Sequence, residues 1–231
     1  MLTVRSGTNH AQGVTDPAAR AALASLIGAE PAARLLTTAR LRTARTGEML
    51  VGEGQTDRAG VLIEGMLRTV VSLPDGRAAT IHYPRPVQFF GLPTVFVPVP
   101  LSVHVVREAK VIHLDGREVR RVARELPEFG WFLSRQLAGA VARVPAIIEE
   151  FGFKTVSQRV ATHVMSLAEP DAANGGRTAR VTHAALAEYV GSAREVVSRC
   201  LRSFASDGVI APGHGSVRII DEAELRRLAG Q

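Results

Sequence analysis

Apolar positions change their spacing twice along this 231-residue chain. From about Pro17 to Leu36 they recur at helical intervals. Between 41 and 114 they fall into short β-branched runs punctuated by Gly and Pro, which is the pattern of half-buried strands. The run "AGVLIEGMLRTVVSLPDGRAATIHY" reads as strand, turn, strand, turn, strand, with Gly65 breaking the first pair and Pro74-Asp75-Gly76 making the second hairpin. A further run, "LSVHVVREAKVIHLD", adds two short strands around Glu108-Ala109. Short antiparallel strands with regular turns imply a sandwich or jelly-roll barrel.

From Gly116 the period becomes helical again. Leu133, Leu137, Val141, Val144, Ile148 and Phe151 form a stripe close to that of a coiled coil. Pro145 sits inside it and predicts a kink or break, because proline removes a backbone donor and clashes with the preceding turn. The stripe either packs on the barrel or joins two copies of the chain; we read it as a dimer seam.

Beyond the seam, "KTVSQRVATHVMSLAEP" predicts an amphipathic helix closed by Pro170 and the polar loop "DAANGGRT". In "VTHAALAEYV" Thr182 is the expected N-cap of a second helix, and Leu186, Tyr189 and Val190 share one side. Gly191 breaks that helix. "GSAREVVSRCLRSF" follows, with Val196, Val197, Cys200, Leu201 and Phe204 on a face to be buried and Arg194, Glu195, Ser198, Arg199 and Arg202 on the other. The polar face is either solvated and laced by a Glu195–Arg199 pair or set to read a planar polar partner. Asp207-Gly208 and Gly213-His214-Gly215 then separate two short strands. Helix, helix, glycine turn, helix and ribbon make a winged helix-turn-helix.

Composition narrows the classes. With 46% hydrophobic residues the chain can build real cores. No stretch approaches the roughly 20 apolar residues of a membrane span, and "MLTVRSGTNHAQGVTD" lacks the apolar core of a signal peptide, so a cytoplasmic protein without membrane association is expected. One cysteine, Cys200, excludes internal disulfides and a cysteine-ligated cluster within the chain. A net charge of +6 suits a polyanionic partner, but the basic excess is shared by both halves, so the nucleic-acid argument is local.

A β-barrel, a seam helix and a winged helix-turn-helix in that order, ending in "VTHAALAEYVGSAREVVSRCLRSFASDGVI", resemble the Crp/Fnr family of bacterial transcription regulators from about Leu36 to Ile220. The resemblance implies an α+β protein divided into a β-roll sensor (1–115), a dimerisation helix region (116–153) and a DNA-binding domain (154–231). It also implies a homodimer on an inverted repeat of double-stranded DNA, with RNA polymerase as a further partner and no catalysis. Arg194, Glu195, Ser198 and Arg199 would face base edges: arginine donates twice to guanine and glutamate accepts from cytosine N4. Arg194 matches the cyclic-AMP receptor type, and Ser198 beside Arg199 the fumarate-nitrate type, so the expected half-site is G·C-containing and TGTGA-like. Thr182 and Arg202 are expected on phosphates.

The sensor departs from the family pattern. Nucleotide-binding members carry a glutamate and an arginine where "FFGLPTVFVPVPLSV" places Leu92 and Leu101, and the polar pair that meets the adenine falls at Val144 and Pro145. Cyclic AMP is therefore not expected to bind. Phe89, Phe90, Leu92, Val95, Phe96 and Val97 suit either a hydrophobic effector or a closed core. His82, His104 and His113 lie on expected strands without metal-ligand spacing, which weighs against a cupin-like metalloenzyme, the rival reading. No cofactor is expected.

Overall fold

The computed structural model describes residues 12–72, 78–171 and 176–230. The turn expected at Pro74-Asp75-Gly76, part of the loop after Pro170 and most of the N-terminal segment lie outside them. The chain forms two compact units. One runs to Val70 and resumes over His82–Ala142; the other comprises Val71–Ile81 and Arg143–Gln231.

In the first unit the expected leading helix is two helices, α1 (Pro17–Ile27) and α2 (Ala29–Leu35). Asp16 caps α1 by accepting from the amides of Ala18 and Ala19, and Pro17 supplies a preset φ at the first turn. Gly28, with φ of 91°, ends α1 in a conformation that side chains rarely adopt.

The strands β1 (Gln12–Gly13), β2 (Arg40–Ala44), β3 (Met49–Val51), β4 (Arg58–Ser72), β5 (Ala78–His82), β6 (Gln88–Phe90) and β7 (Leu101–Asp115) make one sheet. Its order is β1-β2-β7-β4-β5, with β3 on β7 and β6 on β4. Two expected breaks are absent. The strand β4 passes through Gly65, whose φ is 92° and where a Cβ would lie 2.2 Å from the Glu108 carbonyl oxygen. The glycine admits a close approach of two backbones instead of ending a strand. Likewise β7 runs unbroken through Glu108-Ala109, because β2 pairs with it from Arg40↔His113 to Ala44↔Ala109.

Two apolar clusters result. Ala44, Leu50, Val51, Leu62, Leu67, Phe90, Val103, Val105, Ala109 and Val111 fill the roll. A second cluster joins Ala59, Val61, Ile112 and Leu114 to the helices, including α3 (Gly116–Glu125) and α4 (Pro127–Ala142) through Val119, Val122, Phe129 and Leu133. This packing explains why the compact unit extends to Ala142, whereas the sequence boundaries stand at 115/116 and 153/154. The helix α4 ends before Val144, where α5 (Val144–Gly152) begins with Pro145 in its first turn; proline there forfeits no intrahelical bond.

The second unit continues with α6 (Val156–Leu167), which Thr155 and Gln158 open with a reciprocal capping box. There follow β8 (Ala168–Pro170), β9 (Arg177–Ala179), α7 (His183–Val190), α8 (Arg194–Ser206), β10 (Ile210–Gly213), β11 (Ser216–Ile219) and α9 (Glu222–Leu228). The strands form an antiparallel sheet ordered β10-β11-β9-β8. The sequence reading has neither β8, β9 nor α9. Among the described residues no helix is long and apolar enough to cross a membrane.

Candidate nucleic-acid interface

The turn between α7 and α8 determines which side of α8 faces outward. Gly191 adopts φ 68° and ψ 45°. Its amide donates to the Glu188 carbonyl at 3.2 Å, and the Ser192 amide to the Ala187 carbonyl at 2.9 Å. That pair of bonds is a Schellman ending, which needs the left-handed residue that glycine supplies. Leu186, Ala187 and Val190 of α7 are buried, as are Val197, Leu201 and Phe204 of α8. Val160, Ala161, Val164 and Leu167 of α6 are buried as well.

The opposite face of α8 carries Arg194, Glu195, Arg199 and Arg202, all exposed, with Ser198 half-buried among them. Their spacing of one, three and four residues places them on neighbouring turns. Among the described residues Arg194, Glu195 and Arg199 have no hydrogen-bond or ion-pair partner, so the Glu195–Arg199 lacing is absent. Arg202 folds back, its Nε donating to the Ser198 carbonyl at 3.3 Å. The Ser198 hydroxyl meets His183 Nδ1 at 2.9 Å. Thr182 caps α7, its Oγ1 accepting from the Ala185 amide at 3.1 Å. Cys200 is half-buried.

His183 is the residue that sequence reading missed, since fifteen positions separate it from Ser198 and no periodicity links them. Arg180, exposed just before the Thr182 cap, is another. By contrast the acidic residues Glu222 and Glu224 of α9 are paired within the chain, Glu222 with both Arg226 and Arg177. Glu222 is held below the usual carboxylate range chiefly by its hydrogen bond with Arg226, and Glu224 by that with Arg227.

The residues expected on the seam separate into three environments. Leu133 is 2% exposed in the core of its own unit, and Leu137 packs half-buried against the same cluster. This corrects the reading of Leu133 as a surface knob: the first turns of α4 cover the roll's helices with the same stripe that resembles a seam. Val141, Val144 and Ile148 are 68%, 44% and 57% exposed. Phe151 is half-buried beneath the Arg159 guanidinium, 5.6 Å from the ring centre.

In the roll, Gly91 takes a left-handed conformation before a 3-10 turn over Leu92–Val95. Phe90, Leu92 and Val95 are buried, and Phe89 packs against Phe132 with ring centres 6.1 Å apart. Phe96 and Val97, expected to line an apolar effector pocket or a closed core, are instead 45% and 53% exposed. Leu101 packs on the roll cluster, and the Ser102 hydroxyl is 2.9 Å from His104 Nε2. Arg120 bonds Asp57 and the Val95 carbonyl, and the Thr94 hydroxyl donates to the Arg58 carbonyl at 2.8 Å. These bonds fasten the 3-10 turn to the start of β4. His113 lies edge-on to Phe90, and burial pushes its imidazole down to about 4, with Arg42 and Arg58 adding to the shift. Among the described residues no group of three His, Cys, Asp or Glu is placed to hold a metal ion.

A β-roll followed by a winged helix-turn-helix whose second helix carries exposed arginines is the arrangement of a DNA-binding regulator. The family model of the cyclic nucleotide-binding domain matches residues 41–125, and that of the Crp-like helix-turn-helix domain residues 158–228. The chain is 30% identical over 211 residues to a CRP-like cAMP-activated global transcriptional regulator of Mycobacterium tuberculosis, covering 87% of this chain and 94% of that one. It is 29% identical over 179 residues to the transcriptional regulator SdrP of Thermus thermophilus, covering 76% and 86%. A solved CRP-family regulator of Thermus thermophilus superposes with a TM-score of 0.68 at 26% identity, over 82% of this chain and 97% of the other. The chain belongs to the Crp/Fnr family of transcription regulators. It is a DNA-binding regulator and not an enzyme, which removes the cupin-like alternative.

Proposed function

We propose that the protein reads an inverted repeat of G·C-containing, TGTGA-like half-sites as a homodimer. The observation that carries this is the group of exposed side chains Arg194, Glu195 and Arg199 on α8, which have no intrachain partner among the described residues. An arginine left unpaired on a reading helix is free to make the two-pronged bond to guanine O6 and N7, and Glu195 to accept from cytosine N4. Ser198 completes the base-reading set. Thr182 and Arg202 contact phosphates and fix the register. The exposed Val141, Val144 and Ile148, extended by Leu137 and Phe151, form the dimer contact, since exposed aliphatic side chains at helical spacing gain from mutual burial.

In this reading 1–115 senses, 116–153 dimerises and 154–231 binds DNA. The sensor takes no cyclic AMP. Leu92 is buried in an apolar cluster and Leu101 packs on the roll's interior, so neither supplies the charge that would replace a phosphate's lost hydration. Any effector is of another chemistry, and Phe90, Leu92 and Val95 favour an apolar one. RNA polymerase is the further partner, and the cytoplasm, which holds the chromosome, is the compartment.

Selection of bound DNA from a random pool, with and without cyclic AMP, tests the reading. The expected product is an inverted repeat with half-site centres about one helical turn, ~34–36 Å, apart, unchanged by the nucleotide. A product without two-fold symmetry, or one that appears only with cyclic AMP, would overturn it.

A further inference from the structure

The bond between His183 and Ser198 joins the N-terminal parts of the two helices of the helix-turn-helix. His183 opens α7 directly after the Thr182 cap, and Ser198 lies one turn inside α8, next to the buried Val197. Both side chains are half-buried. The Schellman turn at Gly191 holds the helices so that Nδ1 and Oγ stand 2.9 Å apart.

We propose that His183 is the positioning residue for Ser198 and gives its hydroxyl the polarity with which it reads one base pair in each half-site. The inference rests on the reading of α8 given above. A serine inside a helix has a competing local partner, the carbonyl four residues back, and a hydroxyl that rotates freely both donates and accepts. Such a hydroxyl discriminates poorly, because every base pair offers it something in the major groove. An imidazole nitrogen that accepts the hydroxyl hydrogen removes that freedom. In the neutral ring one nitrogen donates and the other accepts. With the ring proton on Nε2, Nδ1 takes the hydroxyl hydrogen, and Ser198 presents only lone pairs, which suit the amino groups of cytosine and adenine. With the proton on Nδ1 the ring donates to one lone pair of Ser198, which then keeps both its hydrogen and its second lone pair for the base. The tautomer in which Nδ1 accepts is therefore the one that leaves Ser198 one polarity to offer, and partial burial strengthens the bond that enforces it. Arg194, Glu195 and Arg199 need no such partner, since each carries a fixed polarity of its own.

Random-pool selection with the full-length protein tests this on Ser198→Ala, His183→Ala, His183→Asn and the double alanine variant, with affinity for random DNA measured alongside. Ser198→Ala should relax the preference at one base pair per half-site by about 3–10-fold, the worth of one hydrogen bond. His183→Ala should relax the same pair as much, and the double variant no further. His183→Asn, whose amide oxygen or nitrogen can stand where Nδ1 does, should restore a preference there; a merely structural role for His183 would show no such rescue. Random-DNA affinity should stay level throughout. The inference is overturned if His183→Ala keeps the preference that Ser198→Ala loses, if the losses add, or if Ser198→Ala leaves the profile intact while Arg199→Ala changes it. If neither Ser198→Ala nor Arg199→Ala alters any position, the reading of α8 itself falls, and this inference with it.

Discussion

The roll unit holds several of its charges in internal pairs, whereas three charges on α8 have no such pair among the described residues. In the roll unit Arg42 pairs with Glu48, Arg120 with Asp57 and the Val95 carbonyl, and Arg34 with both Glu30 and Glu125. On α8 Arg194, Glu195 and Arg199 stand without a partner among the described residues. A charge already satisfied within the chain has little left to offer a ligand, whereas an exposed, unpaired one gains fully from a partner that matches its geometry. In the reading proposed above, the unpaired charges of α8 serve recognition and the paired charges of the roll serve architecture.

The strongest test of that contrast removes the dimer without touching either region's charges. Val141→Asp or Val144→Asp should give monomers by light scattering and weaken binding to the inverted repeat by ~100-fold or more, because linked half-sites no longer reinforce each other. A stable dimer in both variants would place the contact elsewhere. Next, the roll should fail through packing. Phe90→Ala should cost ~3–5 kcal/mol of stability by leaving a cavity, seen as a lower melting temperature, with the base preference of the surviving folded protein unaltered.

Acid should also act on the roll. His113 is buried, with its Nε2 unbonded, and its folded value of about 4 lies below the ordinary 6.5. Above pH 6.5 the ring is neutral folded or unfolded, and it contributes no pH dependence. Between 6.5 and about 4 the unfolded chain takes up a proton that the folded chain refuses, so stability falls as pH falls, by about 1.4 kcal/mol per unit at most. Denaturant melts of the protein and of His113→Gln across that window should differ in slope; parallel curves would show that His113 does not titrate there.

Smaller effects separate the two uses of arginine directly. Arg199→Ala should cost ~1–3 kcal/mol on the selected site and little on random DNA, while Arg202→Ala should weaken both and lower the salt slope by about one. Equal losses on both DNAs for Arg199 would end its assignment to a base. Arg120→Met, which keeps an apolar stem, should cost ~1–2 kcal/mol of stability through its lost charged hydrogen bonds and leave specific affinity unchanged. A fall in affinity with unchanged stability would show that the roll's paired charges also serve recognition.

The order of the parts and the composition of the reading face are already written in the chain. Helical periodicity, a glycine that must be left-handed and a capping threonine all act within a few residues, so α7, the turn at Gly191 and α8 were legible there. Packing settled the rest, because each remaining question concerns what a residue lies against. Gly65 ends no strand, since its missing Cβ admits the close approach of the Glu108 backbone, and β8 and β9 are too short to exist except as partners of a sheet. The stripe from Leu133 to Phe151 has one spacing throughout, yet its first members are enclosed by their own unit and its middle members are exposed, because burial depends on the facing surface and not on period. Ser198 obtains its partner in the same way: fifteen residues of chain carry no record that His183 will lie 2.9 Å from it, and only the crossing of two packed helices brings them together.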